Sequence, residues 1–217
     1  MPELPEVETV TRGLQRHLPG RTITGVDVRW ERTVAAPEPA AFARRLAGQS
    51  ITSVRRRGKW IVFQLDSGDA LLVHLRMTGQ LLLEGADCPD GDYTRAVLHL
   101  DDGRRLRFSD MRKFGRLILT ADPGDVLEDL GPEPLADDFT AEGFHEMLAR
   151  HRGRIKSLLL DQRFVAGLGN IYVNEALWQA RIHPLRPADS LSPAEAWRLH
   201  QAIRSVLQAA LDSGGTT

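Results

Sequence analysis

The chain has 217 residues, 42% of them hydrophobic and 26% charged, with a formal net charge of -1. That is the make-up of an ordinary globular protein, long enough to bury a core without disulfide or metal support, and it excludes fibrous and disordered classes. The lone cysteine, Cys88, excludes an internal disulfide and any zinc site built from several thiolates of this chain, and points to a reducing, cytoplasmic setting. The acidic opening Met1-Pro2-Glu3-Leu4-Pro5-Glu6 is followed by no long apolar run, so the sequence reads as neither secreted nor membrane-spanning.

In chain order, a helix comes first. Pro5 suits an early helical position, Glu6 and Glu8 complement the positive helix start, Val7, Val10 and Leu14 share a face, and Gly20 ends it. From Thr22 to Thr120 the pattern changes to short alternating stretches. The expected strands are Ile23 to Val28, Ile51 to Arg55, Trp60 to Leu65, Leu71 to Leu75, Leu81 to Leu83, Ala96 to Leu100, Arg105 to Phe108 and Leu117 to Leu119. Asp66-Ser67-Gly68-Asp69 and Asp101-Asp102-Gly103 supply hairpin turns, which makes this an antiparallel β-domain. The acidic, Pro- and Gly-bearing stretch from Asp122 to Asp138 reads as a linker, with a domain boundary near Gly131 and domains of 1–131 and 132–217. Beyond it the pattern is helical. Ile155 to Gln162 and Ile171 to Ala180 form two helices around Gly167-Leu168-Gly169-Asn170. A last helix starts at Ser192-Pro193-Ala194-Glu195, a capping box, and continues through Leu199, Ile203, Val206, Leu207 and Ala210.

The small net charge hides an uneven distribution. Leu117 to Ala149 carries nine Asp and Glu and no Lys or Arg. Four stretches are basic instead: Arg55-Arg56-Arg57-Gly58-Lys59, Arg104-Arg105-Leu106-Arg107, Arg112-Lys113, and Arg150-His151-Arg152-Gly153-Arg154-Ile155-Lys156. Any one of them would pass as a solvated face; four together suggest a nucleic-acid footprint.

Pro2 and Glu3 carry the candidate chemistry. Once Met1 is removed, the chain begins with a secondary amine next to a carboxylic acid. An α-amine with a pKa of about 8 is roughly a tenth neutral at pH 7, far more than a lysine, so the terminus is the better nucleophile. Attack of that amine on the anomeric carbon of a nucleotide displaces the base, and the sugar then opens to an iminium ion, a Schiff base, with Glu3 as the acid. Taken alone, Met-Pro-Glu is an unremarkable start, and the rest of the chain has to supply the context.

That context is a set of motifs in order. Met1-Pro2-Glu3-Leu4-Pro5-Glu6-Val7-Glu8-Thr9-Val10, Arg57-Gly58-Lys59-Trp60, His74-Leu75-Arg76-Met77-Thr78-Gly79, Asp110-Met111-Arg112-Lys113-Phe114-Gly115, Leu130-Gly131-Pro132-Glu133-Pro134-Leu135 and Gly167-Leu168-Gly169-Asn170-Ile171-Tyr172 all resemble motifs of the formamidopyrimidine-DNA glycosylases. The resemblance spans essentially the whole chain. It implies an α+β fold: an N-terminal helix with an antiparallel β-sandwich, then a helical domain bearing a helix-two-turn-helix. It implies base-excision repair of damaged double-stranded DNA, with removal of oxidised purines (8-oxoguanine and formamidopyrimidines) followed by cleavage of the abasic site, by a monomer without an organic cofactor.

On that resemblance Pro2 is the Schiff-base nucleophile, Glu3 the proton donor in base release, Glu6 a supporting carboxylate and Lys59 the proton donor for β-elimination. Met77, Arg112 and Phe114 match the residues that fill the hole left by an extruded base. An apolar wedge and a cation facing the orphaned partner offset part of the cost of unstacking. Arg112, Lys156 and Asn170 fall at DNA-contacting positions, as do His74 and, by approximate alignment, Tyr93 and His151. The Gly167–Asn170 turn is expected to present backbone N–H groups to a phosphate. Family members continue past Gly214-Gly215-Thr216-Thr217 into a lesion-covering loop and a four-cysteine zinc hairpin. This sequence carries no zinc ligands of that kind, so it reads as a fragment, the preferred reading, or as a truncated homologue, with no metal in this chain and with weakened DNA binding and impaired excision. The alternatives are a non-catalytic DNA-binding module and, from the helical segment alone, an RNA-binding protein.

Overall fold

The computed structural model describes residues 2–215; the expected removal of Met1 and the Thr216-Thr217 end of the last motif lie outside them. The chain divides into two compact units. Pro2 and Val7–Glu128 make one; Glu3–Glu6 and the described residues from Asp129 onward make the other.

The first unit contains most of α1 (Leu4–Gln15), then β1 (Ile23–Val28), β2 (Val34–Ala36), α2 (Pro39–Leu46), β3 (Ile51–Arg57), β4 (Trp60–Leu65), β5 (Ala70–His74), β6 (Gly79–Glu84), β7 (Thr94–Leu100), β8 (Arg105–Asp110), β9 (Arg116–Thr120) and the short α3 (Gly124–Leu127). Among the described residues the strands form a four-stranded sheet in the order β1-β7-β8-β6 and a five-stranded sheet in the order β2-β9-β5-β4-β3. The pairings are antiparallel except β2 with β9, which is parallel. Side chains alternate across a strand, and the inward set is apolar in both sheets. Ala96, Leu98, Leu106 and Phe108 from one join Ile61, Phe63, Leu71, Val73, Leu117 and Leu119 from the other in a single cluster, closed by Val7 and Leu14 of α1 and Phe42 and Leu46 of α2. Each such buried side chain contributes about 1.5–3 kcal/mol of transfer free energy, which makes this layer the source of the unit's stability.

The second unit holds α4 (Ala141–Ala149), α5 (Ile155–Leu160), α6 (Asn170–Ala180) and α7 (Pro193–Asp212). Phe144, Leu148, Ile155, Leu159, Tyr172, Leu177, Leu199, Ile203 and Leu207 form its core, with Leu4 of α1 among them. The capping box of α7 is complete: Glu195 N–H donates to the Ser192 hydroxyl and Ser192 N–H to the Glu195 carboxylate. Among the described residues no helix is long and apolar enough to cross a membrane.

The expected strands are all present: β3, β7, β8 and β9 are longer by two residues and β6 by three, β5 starts and ends one residue earlier, and β1 and β4 keep the expected bounds. The β2 strand and α2 were not expected. β2 is only three residues long and exists by pairing with β9, far away in sequence. The helix expected to reach Gln162 stops at Leu160, because Asp161 turns extended and its carboxylate accepts the Arg163 N–H at 2.9 Å. The stretch read as a linker is anchored from Gly131 onward. Gly131 N–H donates to the Gln162 carbonyl, Ala166 N–H to the Pro132 carbonyl, and the Arg204 guanidinium to the carbonyls of Pro134 and Ala136.

Candidate active site

In the second unit the first turn of α1 meets the start of α6. Glu3 is buried, 1% exposed, and its carboxylate accepts the N–H of Ile171 at 3.0 Å and of Tyr172 at 3.4 Å. These are among the first N–H groups of α6, which have no partner inside the helix, so the carboxylate caps that end. Glu6 holds the same turn from the other side. Its Oε2 accepts the Glu3 N–H at 2.8 Å, and its Oε1 accepts the Tyr172 hydroxyl at 2.6 Å. The approach depends on Gly169: a Cβ there would lie 2.3 Å from Glu3 Cδ, closer than real Cβ contacts come. Pro2, half-buried, is attached directly to this braced peptide.

Within the Gly167–Asn170 turn, expected to face a phosphate, the N–H of Gly167 is occupied within the protein, donating to Gln162 Oε1 at 2.9 Å. The exposed part of this turn is Asn170. His151 and Lys156 belong to the same unit. His151 is exposed, with its ring edge-on to Phe164 at 5.2 Å, and Lys156 is half-buried near the start of α5. Among the described residues no hydrogen bond joins Asn170, His151 and Lys156.

The first unit carries the remaining candidates. Lys59 is buried at the β3–β4 turn. His74, at the end of β5, packs edge-on against Trp60 at 4.8 Å, and its Nδ1 accepts the Arg76 N–H at 3.0 Å. Burial, then the charges of Arg76 and Lys59, pull the imidazole down to about 3, so it is neutral at working pH with Nε2 left as the donor. Met77 and Phe114, residue types usually found in a core, are 40% and 46% exposed. The Arg112 guanidinium lies 4.9 Å from the Phe114 ring centroid, and the Lys113 Nζ lies 4.1 Å from the centroid of Trp30. Tyr93 is also exposed, beside Arg95.

The basic stretches do not share one role. Arg105 and Arg107 are buried: Arg107 forks onto Glu84 of the neighbouring strand, and Arg105 pairs with Glu84 and Asp90. Arg56 donates to Glu8 at 2.7 Å, and Arg104 is bound to Asp102. Burial alone would raise the Glu8 carboxyl, but Arg56 and Arg12 outweigh it and hold it below the usual range. Arg55, Arg112, Lys113, Arg150, His151, Arg152 and Arg154 are the exposed ones. Among the described residues no group of three or more His, Cys, Asp or Glu is placed to hold a metal. The residues present do not fit the zinc hairpin implied by the resemblance: the single Cys88 lies against Glu84 and gives its carbonyl to Arg105.

Tyr172, Thr78 and Asp110 were not singled out from sequence as site residues. All three lie inside the quoted motifs, but residue type alone gives no signal of a contact with a group distant in the sequence.

Residues 1–117 match the model of the formamidopyrimidine-DNA glycosylase N-terminal domain, and residues 130–217 match that family's H2TH domain. The chain is 45% identical over 218 residues to a formamidopyrimidine-DNA glycosylase of Protochlamydia amoebophila and 49% identical over 220 residues to one of Chloroflexus aurantiacus; both alignments take in all of this chain and 79% of the relative. Among solved structures, a complex of the Lactococcus lactis enzyme with DNA containing an abasic site superposes with a TM-score of 0.92 at 35% identity, over 99% of this chain and 80% of that one. A complex of the same enzyme with DNA containing FAPY-dG gives 0.92 at 35% identity, over 99% and 82%. The chain belongs to the formamidopyrimidine-DNA glycosylase family.

Proposed function

We propose that this chain is a base-excision repair enzyme that removes oxidised purines from damaged duplex DNA and then cleaves the abasic site, with Pro2 as its nucleophile. The observation that carries this reading is the bracing of the first turn: Glu6 fixes the peptide N–H that follows Pro2, and Glu3 is held on the start of α6. Such fixed geometry is what covalent catalysis requires of a chain terminus, which would otherwise fray.

In the proposed sequence the Pro2 amine forms a bond to the anomeric carbon as the bond to the base breaks. Glu3 delivers the proton that lets the sugar ring open to the iminium ion. Loss of a proton from the adjacent sugar carbon then expels the 3′ phosphate, with Lys59 as the proton donor of that stage, and water releases the enzyme. Glu6 supports the nucleophile. Met77, Arg112 and Phe114 occupy the space left by the extruded base; His74, Tyr93, His151, Lys156 and Asn170 contact the DNA. Residues 1–131 and 132–217 are its working domains. The lone cysteine supports a reducing, cytoplasmic setting. Zinc, implied by the resemblance for the full-length family, enters none of these steps.

The test is single-turnover incubation with duplex DNA carrying 8-oxoguanine, scored for released base and strand cleavage. Release of the base with cleavage supports the proposal. Salt-dependent binding without either supports the non-catalytic module, and preference for RNA would overturn both.

A further inference from the structure

The residues read as filling the base gap sit on separate turns, Met77 between β5 and β6, Arg112 and Phe114 between β8 and β9. Each turn contains a residue in the left-handed region, Arg76 at φ 55° and Lys113 at φ 61°. Ordinary L-residues stay there only where their surroundings hold them.

The two turns share one anchor. Asp110 is fully buried, 0% exposed, at the end of β8. Its Oδ1 accepts the Thr78 hydroxyl at 2.5 Å and the Arg112 N–H at 3.2 Å, and its Oδ2 accepts the Gly115 N–H at 2.7 Å. Thr78 Oγ1, donating to Asp110, accepts the Arg112 N–H in return at 3.1 Å. The Asp110 backbone is itself fixed: its N–H donates to the Tyr93 carbonyl at 2.9 Å, and its carbonyl accepts Arg95 Nε at 2.8 Å. Gly115 permits the arrangement, because a Cβ there would lie 2.3 Å from Phe108 Cζ and 3.2 Å from Asp110 Oδ2.

We propose that Asp110, acting through Thr78, is a positioning residue that locks the Met77 turn to the Arg112–Phe114 turn, so that the three side chains enter the DNA stack as one preformed wedge. The inference rests on the gap-filling reading of those three residues. Two turns ordered separately would each lose conformational freedom on binding; two turns tied beforehand avoid most of that loss. A carboxylate is needed, because it accepts on both oxygens. An amide at this position would turn its NH2 group toward either the Gly115 N–H or the Thr78 and Arg112 donors.

The experiment compares Asp110→Asn, Thr78→Val and Thr78→Ser on two substrates, under single-turnover conditions. One is duplex DNA with 8-oxoguanine opposite cytosine, where a stack must be filled; the other is a single-stranded abasic oligonucleotide trapped with borohydride, where none exists. Asp110→Asn and Thr78→Val are expected to lower duplex excision about tenfold or more while changing trapping by less than about twofold, and Thr78→Ser is expected to restore excision. In a Met77→Ala, Arg112→Ala, Phe114→Ala background, Asp110→Asn is expected to cost nothing further on duplex. Equal losses on both substrates, or none on duplex, would overturn the proposal. If Asp110→Asn does not fold, Thr78→Val carries the comparison. If the triple alanine variant excises normally, the gap-filling reading fails and takes the proposal with it. If that variant is impaired and the Asp110 and Thr78 variants are not, the proposal alone fails.

Discussion

Replacing Tyr172 with phenylalanine removes one hydroxyl and leaves the ring packed in the helical core, where the residue is 2% exposed. The hydroxyl donates to Glu6 Oε1 at 2.6 Å, and the other oxygen of that carboxylate accepts the Glu3 N–H, so the change loosens the group that fixes the peptide after Pro2. A hydrogen bond to a charged group contributes about 1.5–3 kcal/mol. If that is spent on holding the nucleophile in line, the excision rate constant falls by about ten- to a hundredfold with little change in DNA affinity. The same loss lowers the melting temperature by about 3–12 °C. Single-turnover excision, equilibrium DNA binding and thermal unfolding on one preparation separate the two effects. A variant that melts earlier yet excises within about twofold of the parent would refute the claim that Tyr172 acts through Glu6 on the terminus.

Gly169→Ala is expected to displace the Glu3 carboxylate from α6 and to reduce excision by about a hundredfold or more, with DNA binding reduced far less; retention of excision would show that Glu3 does not need this seat. His74 is expected to titrate near 3 by NMR rather than near its ordinary value of about 6.5. Because the folded value is depressed, its contribution to stability is complete above about pH 6.5 and is lost as pH falls toward 3, at up to about 1.4 kcal/mol per pH unit. Urea unfolding across that window should therefore be steeper in pH for the parent than for His74→Gln. Glu195 is held down to about 2, first by Arg186 and then by the Ser192 N–H, so its contribution is complete above its ordinary value and lost as pH falls toward 2. Arg186→Met should move the onset of acid unfolding to higher pH, and Ser192→Ala should cost about 1 kcal/mol in chemical denaturation by removing the cap of α7.

Local patterns located most of the fold. Alternation marked β4 and β5, whose inward residues Ile61, Phe63, Leu71 and Val73 are those the core uses, and the capping box marked the start of α7. What local patterns could not carry was partnership at a distance. Val34-Ala35-Ala36 is a strand only because β9 lies beside it. Arg105 and Arg112 look alike as charges in sequence, yet one faces Glu84 across the β6–β8 pair and the other faces solvent. The same limit applies at the site. Pro2, Glu3 and Glu6 could be named from a motif, whereas Tyr172 as the donor to Glu6 and Asp110 as the tie between two turns depend on contacts across the fold. The Gly167–Asn170 turn was read as a phosphate cradle because helix starts attract anions. The anion at that helix start is the protein's own Glu3, held by the N–H groups of Ile171 and Tyr172 that follow the turn.

The central claim is that the chain's own proline attacks the sugar, and mapping the covalent adduct tests it most directly. The protein is reacted with abasic-site duplex DNA, reduced with borohydride and digested, and the modified peptide is sequenced by mass spectrometry. The account predicts an adduct on the Pro2 nitrogen of chains that have lost Met1, and its disappearance when residues are added before Pro2. An adduct on a lysine such as Lys59, or one that survives the N-terminal extension, would contradict it.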